Sequence, residues 1–229
     1  MIEIDDSIDT IFIMTGFACI YNCKYCMQHG SREVYIPRKD YNPEIIDFIK
    51  QLANKRKESD KSKLILNFFG GEPLLFLDII KDIIEKVIED YVDFSIITNG
   101  SLIDEDFVSY VHSIREKNHN FWISVSWDGR NTKNSRGKDI FEDNKENIFK
   151  LRNFGISGVI NKYNYPKEFF EDVQRIEDEY KTLYPEDENF SIGVSLDAIY
   201  NLNRPKQEDV FDIDFDKLRM EITELIYDC

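Results

Sequence analysis

The feature that most constrains the fold is a regular alternation of short apolar runs with longer amphipathic stretches. Runs rich in β-branched and aromatic residues predict six strands, which cover Thr10–Met14, Leu64–Phe69, Phe94–Thr98, Phe121–Ser126, Ile156–Ile160 and Phe190–Leu196. Apolar residues at helical spacing predict six helices, which cover Asn42–Ala53, Leu77–Tyr91, Asp104–Glu116, Phe141–Asn153, Lys167–Tyr180 and Asp214–Asp228. Because strands that alternate with helices form parallel sheets, the chain predicts an α/β fold of six β-α units.

Six units are fewer than a closed barrel contains, so the pattern alone leaves open an open barrel or a doubly wound sheet. We expect the first, a partial (β/α)6 TIM-like barrel with parallel strands and outer helices. A chain of 229 residues fits one ordinary domain, and no long linker divides it. We therefore expect a single domain over residues 1–229, either complete or as the N-terminal part of a longer protein.

Charge and hydropathy disfavour several classes of partner. The net charge of −15 repels phosphate backbones, which disfavours a nucleic-acid substrate. The longest apolar runs fall far short of the roughly 20 residues that a membrane span needs. The acidic start, MIEIDDSIDT, lacks the basic and apolar regions of a signal peptide. We expect a cytoplasmic protein with no membrane and no nucleic-acid partner.

Chemically unusual residues follow the carboxyl ends of the predicted strands. The segment Cys19–Cys26 follows the first strand, Gly70–Glu72 the second, Thr98–Gly100 closes the third, Ser124–Gly129 ends the fourth, and Asn161 ends the fifth. Because the carboxyl ends of parallel strands meet at one edge of a sheet, this edge is the predicted site. The polar segment 131–139 is predicted to be a loop of that site.

Three of the four cysteines lie within eight residues, CIYNCKYC, at Cys19, Cys23 and Cys26. In a cytoplasmic chain such spacing indicates metal or redox chemistry before disulfides. Three thiolates on a short loop can bind three irons of a cubane cluster. With His29 they could instead make a closed tetrahedral zinc site. Cys229, the last residue, is interpreted as incidental or as the cut end of a longer chain.

The C-x-x-x-C-x-x-C loop with Tyr25 before its last cysteine, then GGEP, TNG and S-x-D-G in this order, resembles the radical S-adenosylmethionine (radical SAM) enzymes. The resemblance covers nearly the whole chain. It implies a [4Fe–4S] cluster held by Cys19, Cys23 and Cys26, with one iron left open to the amino and carboxylate groups of SAM. Reductive cleavage of SAM would then give a 5′-deoxyadenosyl radical that abstracts hydrogen from a substrate.

The resemblance also implies a set of cofactor-binding residues, with no catalytic residue beyond the cluster ligands. They are Tyr25, Gly70, Gly71, Glu72, Asn99, Ser126, Arg136 and Asn161. The Gly70–Glu72 turn would meet the methionine end of SAM, and Ser126 is a candidate for another SAM contact. Asn161 would meet the ribose. Arg136 would bind the SAM carboxylate because a guanidinium fork suits it, with Arg130 as the competing residue.

Several of these residues have a structural interpretation that the sequence leaves open. Glu72 suits the N-terminus of the helix that follows it, where acidic side chains are favoured. Asn99 and Gly100 form an ordinary turn dipeptide. Asn161 suits a helix or turn cap. Asp128 is expected to hold the turn after the fourth strand.

The order of motifs resembles the branch that modifies peptides and proteins, such as anaerobic sulfatase maturases and ribosomal-peptide maturases. That branch usually carries a cysteine-rich C-terminal extension, whereas only Cys229 follows Cys26 here. A peptide or protein substrate and an electron donor such as flavodoxin or ferredoxin are implied. The alternatives are a radical SAM enzyme that acts on a small molecule or activates a glycyl radical, and a non-catalytic module that binds zinc or a cluster.

Overall fold

The computed structural model describes residues 5–26, 41–187, 190–197 and 213–227. Its strands are β1 (Thr10–Met14), β2 (Leu64–Phe69), β3 (Val92–Thr98), β4 (Phe121–Ser126), β5 (Gly155–Val159) and β6 (Gly193–Asp197). Its α-helices are α1 (Glu44–Glu58), α2 (Leu77–Val87), α3 (Glu105–Arg115), α4 (Thr132–Arg136), α5 (Ile140–Asp143), α6 (Lys145–Lys150), α7 (Pro166–Leu183) and α8 (Phe215–Tyr227). Short 3₁₀ helices cover Pro73–Phe76 and Gly129–Asn131.

The six strands form one sheet in the order β1-β2-β3-β4-β5-β6. The pairs β1/β2, β2/β3, β4/β5 and β5/β6 are parallel, with a helix between successive strands. A doubly wound sheet reverses its strand order at a switch point, whereas this order follows the sequence throughout. The structure therefore confirms the α/β class and agrees with a partial (β/α)6 TIM-like barrel.

Most predicted boundaries lie within one residue of those in the structure, but α1 ends later, at Glu58, α2 ends earlier, at Val87, and β6 begins later, at Gly193. Two further predictions were wrong in kind. The helix predicted over Phe141–Asn153 is split into α5 and α6 at Asn144, which has a φ of −144°. The side-chain Nδ2 of Asn144 donates to the Gly100 carbonyl at 2.9 Å, and this bond to a distant segment fixes the break. The segment 131–139, predicted to be a loop, contains α4, which ends at Gly137 in the left-handed region.

The chain divides into two compact units, and β4 contributes residues to both. The first unit comprises residues 1–19, 31–98 and 102–123, and the second comprises residues 20–30, 99–101 and 124–229. The prediction of a single domain stays a prediction. Within the described ranges, no helix combines the length and apolar character needed to cross a membrane.

Each unit has its own apolar core. In the first unit, alternate residues of β2 and β3 are fully buried, as are the apolar faces of α1 and α2. The rings of Phe94 and Phe107 also pack edge-on against Phe121 there. In the second unit, Phe149 and Phe154 pack against the buried ring of Tyr180 on α7. These cores fix the strands whose carboxyl ends carry the predicted site residues.

Candidate functional site

In the first unit, the segment that leads from β1 to Cys19 runs along the turn that follows β2. The Thr15 amide donates to the Phe69 carbonyl at 3.0 Å. The Gly71 amide donates to the Gly16 carbonyl and the Glu72 amide to the Ala18 carbonyl, each at 2.8 Å. Three backbone hydrogen bonds thus fasten the approach to the first cysteine onto the glycine turn.

Both glycines of this turn are required by the close approach of the protein's own backbone. A Cβ at Gly71 would lie 2.2 Å from the Ala18 carbonyl oxygen and 2.5 Å from that of Phe17. A Cβ at Gly70 would lie 2.4 Å from the Gly16 carbonyl oxygen, and its φ of +148° also favours glycine. The sequence interpretation gave these glycines to the approach of a ligand, whereas the atoms that approach them here belong to residues 16–18.

Glu72 is fully buried at the N-terminus of the 3₁₀ helix Pro73–Phe76. Its Oε1 accepts a hydrogen bond from the Leu74 amide at 3.0 Å and one from the Thr98 hydroxyl at 2.7 Å. The carboxylate therefore caps the helix, as its structural interpretation predicted, and also ties the end of β3 to the glycine turn. Thr98 was not predicted to take part, because a lone threonine at a strand end carries no motif.

Cys19, Cys23 and Cys26 form no disulfide within the described residues, and each is partly buried. Cys19 belongs to the first unit, and Cys23 and Cys26 belong to the second. Cys23 packs against Tyr25 and Val159. In the described ranges, no group of three or more His, Cys, Asp or Glu side chains could hold a metal ion. His29, the fourth ligand of the alternative zinc site, lies outside the described residues, as does Cys229. By their chemistry, the three cysteine side chains of this short segment are a donor set that fits a [4Fe–4S] cluster.

The second unit is organised around the fully buried carboxylate of Asp128, just after β4. Oδ1 accepts from Arg136 Nη2 and from the Val159 amide, each at 3.0 Å. Oδ2 accepts from the Tyr25 hydroxyl at 2.7 Å and from the Ser135 hydroxyl at 2.6 Å. Asp128 was predicted to hold a turn, and the structure shows that its side chain also joins the cysteine segment, α4 and the end of β5.

Tyr25 and Arg136 are brought together by this carboxylate. The guanidinium carbon of Arg136 lies 5.3 Å from the centre of the Tyr25 ring, a cation–π contact. Burial raises the pKa of Tyr25 well above its ordinary value, so the hydroxyl stays a donor. Burial works to lower the pKa of Arg136, but the Asp128 carboxylate outweighs it and the pKa is raised. Arg136 Nε is buried and has no hydrogen-bond partner among the described atoms.

The competing arginine is engaged elsewhere. The Arg130 amide and Nε both donate to Asp172 on α7, and its Nη2 donates to Glu171. The Asp172 side chain is 4% exposed. Its Oδ2 lies so close to Gly129 that a Cβ added at this glycine would be 2.8 Å away. This pair fastens the turn after β4 to α7, which makes Arg136 the stronger candidate for an anionic ligand.

The remaining predicted residues lie at strand ends with local partners. Asn99 accepts from the Ser101 amide at 3.0 Å, which is the turn geometry that its sequence predicted. Ser126 is the last residue of β4 and is partly exposed. Asn161 is fully buried, donates to the Val159 carbonyl at 2.9 Å and accepts from the Tyr163 amide. Ser135 was missed altogether, since its role depends on the fold-back of α4.

Comparison with known proteins agrees with these features. Residues 13–179 match the family model described as the Radical SAM superfamily. The radical SAM cyclopropyl synthase TigE of Paramaledivibacter caminithermalis is 30% identical over an alignment of 167 residues, and the match covers 66% of this chain and 33% of that protein. The S-adenosylmethionine-dependent nucleotide dehydratase of Fibrobacter sp. is 30% identical over an alignment of 163 residues, and the match covers 65% of this chain and 46% of that protein. The matched regions thus cover less than half of either relative.

Two solved structures share the fold. The structure described as native anSMEcpe with bound AdoMet has a TM-score of 0.66 at 18% identity, covering 96% of this chain and 61% of that one. Streptococcus suis SuiB bound to its precursor peptide SuiA has a TM-score of 0.60 at 17% identity, covering 96% of this chain and 46% of that one. At these identities the likeness concerns the fold.

Proposed function

The chain belongs to the radical SAM superfamily, and from that premise we propose that it is an enzyme that abstracts a hydrogen atom from a peptide or protein side chain. The cofactors of the family are a [4Fe–4S] cluster and SAM. When bound, the reduced cluster supplies the electron that cleaves SAM to a 5′-deoxyadenosyl radical. The protein's own part is to hold, orient and shield these cofactors.

The observation that carries the proposal is the set of three closely spaced cysteines, Cys19, Cys23 and Cys26, inside the region that matches the family. We assign the cluster to these three residues, because a fourth protein ligand would close the iron that SAM needs. The backbone bonds of residues 15–18 to the glycine turn support a fixed approach to Cys19. The hydroxyl of Tyr25 fixes the segment between Cys23 and Cys26 in the same way.

For the SAM carboxylate we propose Arg136. Its buried Nε–H lacks a partner among the described residues, and a buried donor without an acceptor is costly. A carboxylate ligand would supply that acceptor, and the planar guanidinium is already held by Asp128. The Gly70–Glu72 turn, Asn99, Ser126 and Asn161 stay predictions as SAM contacts, since their described hydrogen bonds are to the protein.

The peptide substrate class is supported by the order of motifs, CxxxCxYC, GGEP, TNG and SxDG, which resembles that of peptide-modifying enzymes. A second candidate is a small molecule. Its support is the nucleotide dehydratase, which matches this chain at the same 30% identity as the cyclopropyl synthase. Yield of 5′-deoxyadenosine, measured separately with a panel of peptides and a panel of nucleotides, separates the two. Stimulation by nucleotides alone would replace the peptide proposal.

The radical chemistry is tested by anaerobic reconstitution with iron and sulfide, reduction by dithionite and addition of SAM. We expect a reduced-cluster signal in electron paramagnetic resonance that shifts with SAM, together with accumulation of 5′-deoxyadenosine. Binding of about one zinc ion per chain, with no SAM cleavage by the intact protein, would favour the non-catalytic metal module instead.

The chain offers a matched pair of cysteine variants for this experiment. Cys23→Ser removes a proposed cluster ligand, whereas Cys229→Ser changes a cysteine outside the motif. We expect Cys23→Ser to lose the cluster signal and the 5′-deoxyadenosine, and Cys229→Ser to keep both. Equal loss in the two variants would contradict the assignment of the ligands to the CxxxCxxC segment.

A further inference from the structure

We propose that Asp128 is a positioning residue that holds the segment between Cys23 and Cys26 together with Arg136, and so controls how firmly the chain retains its cluster. This inference rests on the proposed function. Asp128 follows β4, whereas the cysteine segment that it would position lies about a hundred residues earlier in the sequence.

The first step is the hydrogen-bond capacity of the carboxylate. A carboxylate offers about four lone-pair sites, and Asp128 fills them with donors from three separate segments. Tyr25 comes from the cysteine segment, Ser135 and Arg136 from α4, and the Val159 amide from the end of β5. A side chain with no exposed surface and this many partners fixes those segments against each other.

The second step is the way that α4 holds the cysteine segment. The Lys24 amide donates to the Ser135 carbonyl at 2.8 Å, and the adjacent Tyr25 hydroxyl donates to Asp128. The Cys26 amide also donates to the Cys23 carbonyl at 3.2 Å, which closes a turn between the two thiols. Two consecutive residues between the cysteines are therefore anchored to the same short stretch of chain, and the turn has little freedom left.

The third step is why a carboxylate is needed here. Arg136 is 8% exposed, and its ion-pair partner in the described part of the chain is Asp128. Replacing the Asp128 carboxylate by an amide would leave the buried guanidinium of Arg136 without a counter-charge. The amide nitrogen is a donor, and it would face hydroxyls that donate to a carboxylate oxygen in the wild type. The arginine and Tyr25 would both lose their orientation. Loss of Asp128 should therefore loosen the cysteine turn without any change in the cysteines themselves.

The test measures retention of the reconstituted cluster, not turnover. Holoprotein is mixed with a ferrous chelator under anaerobic conditions, and loss of the cluster is followed by its visible absorption. We expect Tyr25→Phe, which removes one hydroxyl, to speed the loss by about tenfold, the equivalent of one hydrogen bond. Asp128→Asn should speed it more, and the double variant should be no faster than Asp128→Asn alone, because Tyr25 acts through Asp128.

Asp172→Asn is the matched control. Asp172 is also a buried carboxylate paired with an arginine beside β4, but its described partners are Arg130 and Arg175, outside the cysteine segment. The Asp172→Asn variant should lose its cluster at a rate within about twofold of wild type, even if its apoprotein is destabilised as much as that of Asp128→Asn. Equal rates in Asp128→Asn and Asp172→Asn at equal apoprotein stability would overturn the inference, as would a Tyr25→Phe rate equal to wild type.

Failure of the inference can be distinguished from failure of the proposed function. If wild-type protein takes up no iron–sulfur cluster, the proposed function is wrong. If wild type holds the cluster and the Tyr25 and Asp128 variants hold it as firmly, only the positioning role is wrong. Should Asp128→Asn fail to fold, Tyr25→Phe keeps the aromatic ring and still decides the matter.

Discussion

Replacing Gly71 by alanine should destabilise the protein, because the new Cβ would force two backbone segments apart. The new Cβ would lie 2.2 Å from the Ala18 carbonyl oxygen, and both nearest atoms belong to backbone that a rotamer change cannot move. Carbon and oxygen atoms in close contact are normally about 3.3 Å apart, so the two segments must separate by about 1 Å. That displacement lengthens the bonds from Gly71 to Gly16 and from Glu72 to Ala18, both 2.8 Å now.

The expected cost follows from these two effects. Two weakened backbone hydrogen bonds contribute about 1 kcal/mol each, and forced separation of packed segments adds about 1–3 kcal/mol. A lower entropy of the unfolded chain offsets up to about 1 kcal/mol. We therefore expect Gly71→Ala to lower the free energy of unfolding by about 3 kcal/mol, measured on apoprotein by urea denaturation and linear extrapolation.

Gly137→Ala separates this clash from backbone strain. Gly137 has a φ of +84°, and a Cβ there would meet no atom within 4 Å, so alanine suffers only the left-handed conformation. That strain is worth about 1–2 kcal/mol. If Gly71→Ala lowers the free energy of unfolding no more than Gly137→Ala does, the close approach of residues 16–18 does not constrain the turn, and the reasoning fails.

Three further perturbations test contacts in the first unit. A hydrogen bond from Lys61 lowers the pKa of Asp6 to about 2, so its stabilisation is present above the unfolded pKa of about 3.9 and is lost as pH falls through about 2. Asp6→Asn should flatten the fall in stability over that range, and acid titrations of parallel slope would contradict this. Arg56, 3% exposed, donates to the carbonyls of Asp6 and Ile8. Arg56→Met should lower the free energy of unfolding in urea by about 3 kcal/mol, because these part-buried hydrogen bonds lose their charged donor. Thr98→Val removes the hydroxyl that donates to Glu72 Oε1 and should lower the free energy of unfolding by about 1–2 kcal/mol. An unchanged free energy of unfolding would refute this prediction.

The sequence predicted elements that depend on local pattern and missed those that depend on distant contacts. Strands β1, β2 and β4 have the predicted bounds, since each is an apolar run that ends at a glycine or a polar residue. The break between α5 and α6 was not predictable from helical periodicity. It is fixed by a bond from Asn144 to the carbonyl of Gly100, a partner 44 residues earlier in the chain.

The same distinction holds within the site. Close spacing singled out the cysteines, and position at the end of a predicted strand singled out the glycine turn. The partnership of Asp128 with Tyr25 spans 103 residues and has no signature in either neighbourhood. That of Asp128 with Arg136 is shorter in sequence but requires the 3₁₀ helix and α4 to turn the chain back on itself. Neither could be derived without the fold.

Hydrogen-bond capacity, more than charge, then decides which of these residues can serve a ligand. Asp128 carries a charge, yet its oxygens already accept four hydrogen bonds, so a further donor would have to displace one of them. Arg136 carries a charge that Asp128 largely neutralises, yet its Nε–H has no acceptor in the described chain. The carboxylate is therefore suited to positioning and the guanidinium to recognition. Since the two side chains are joined at 3.0 Å, an anion bound by the arginine would share its guanidinium with the carboxylate that anchors the cysteine turn.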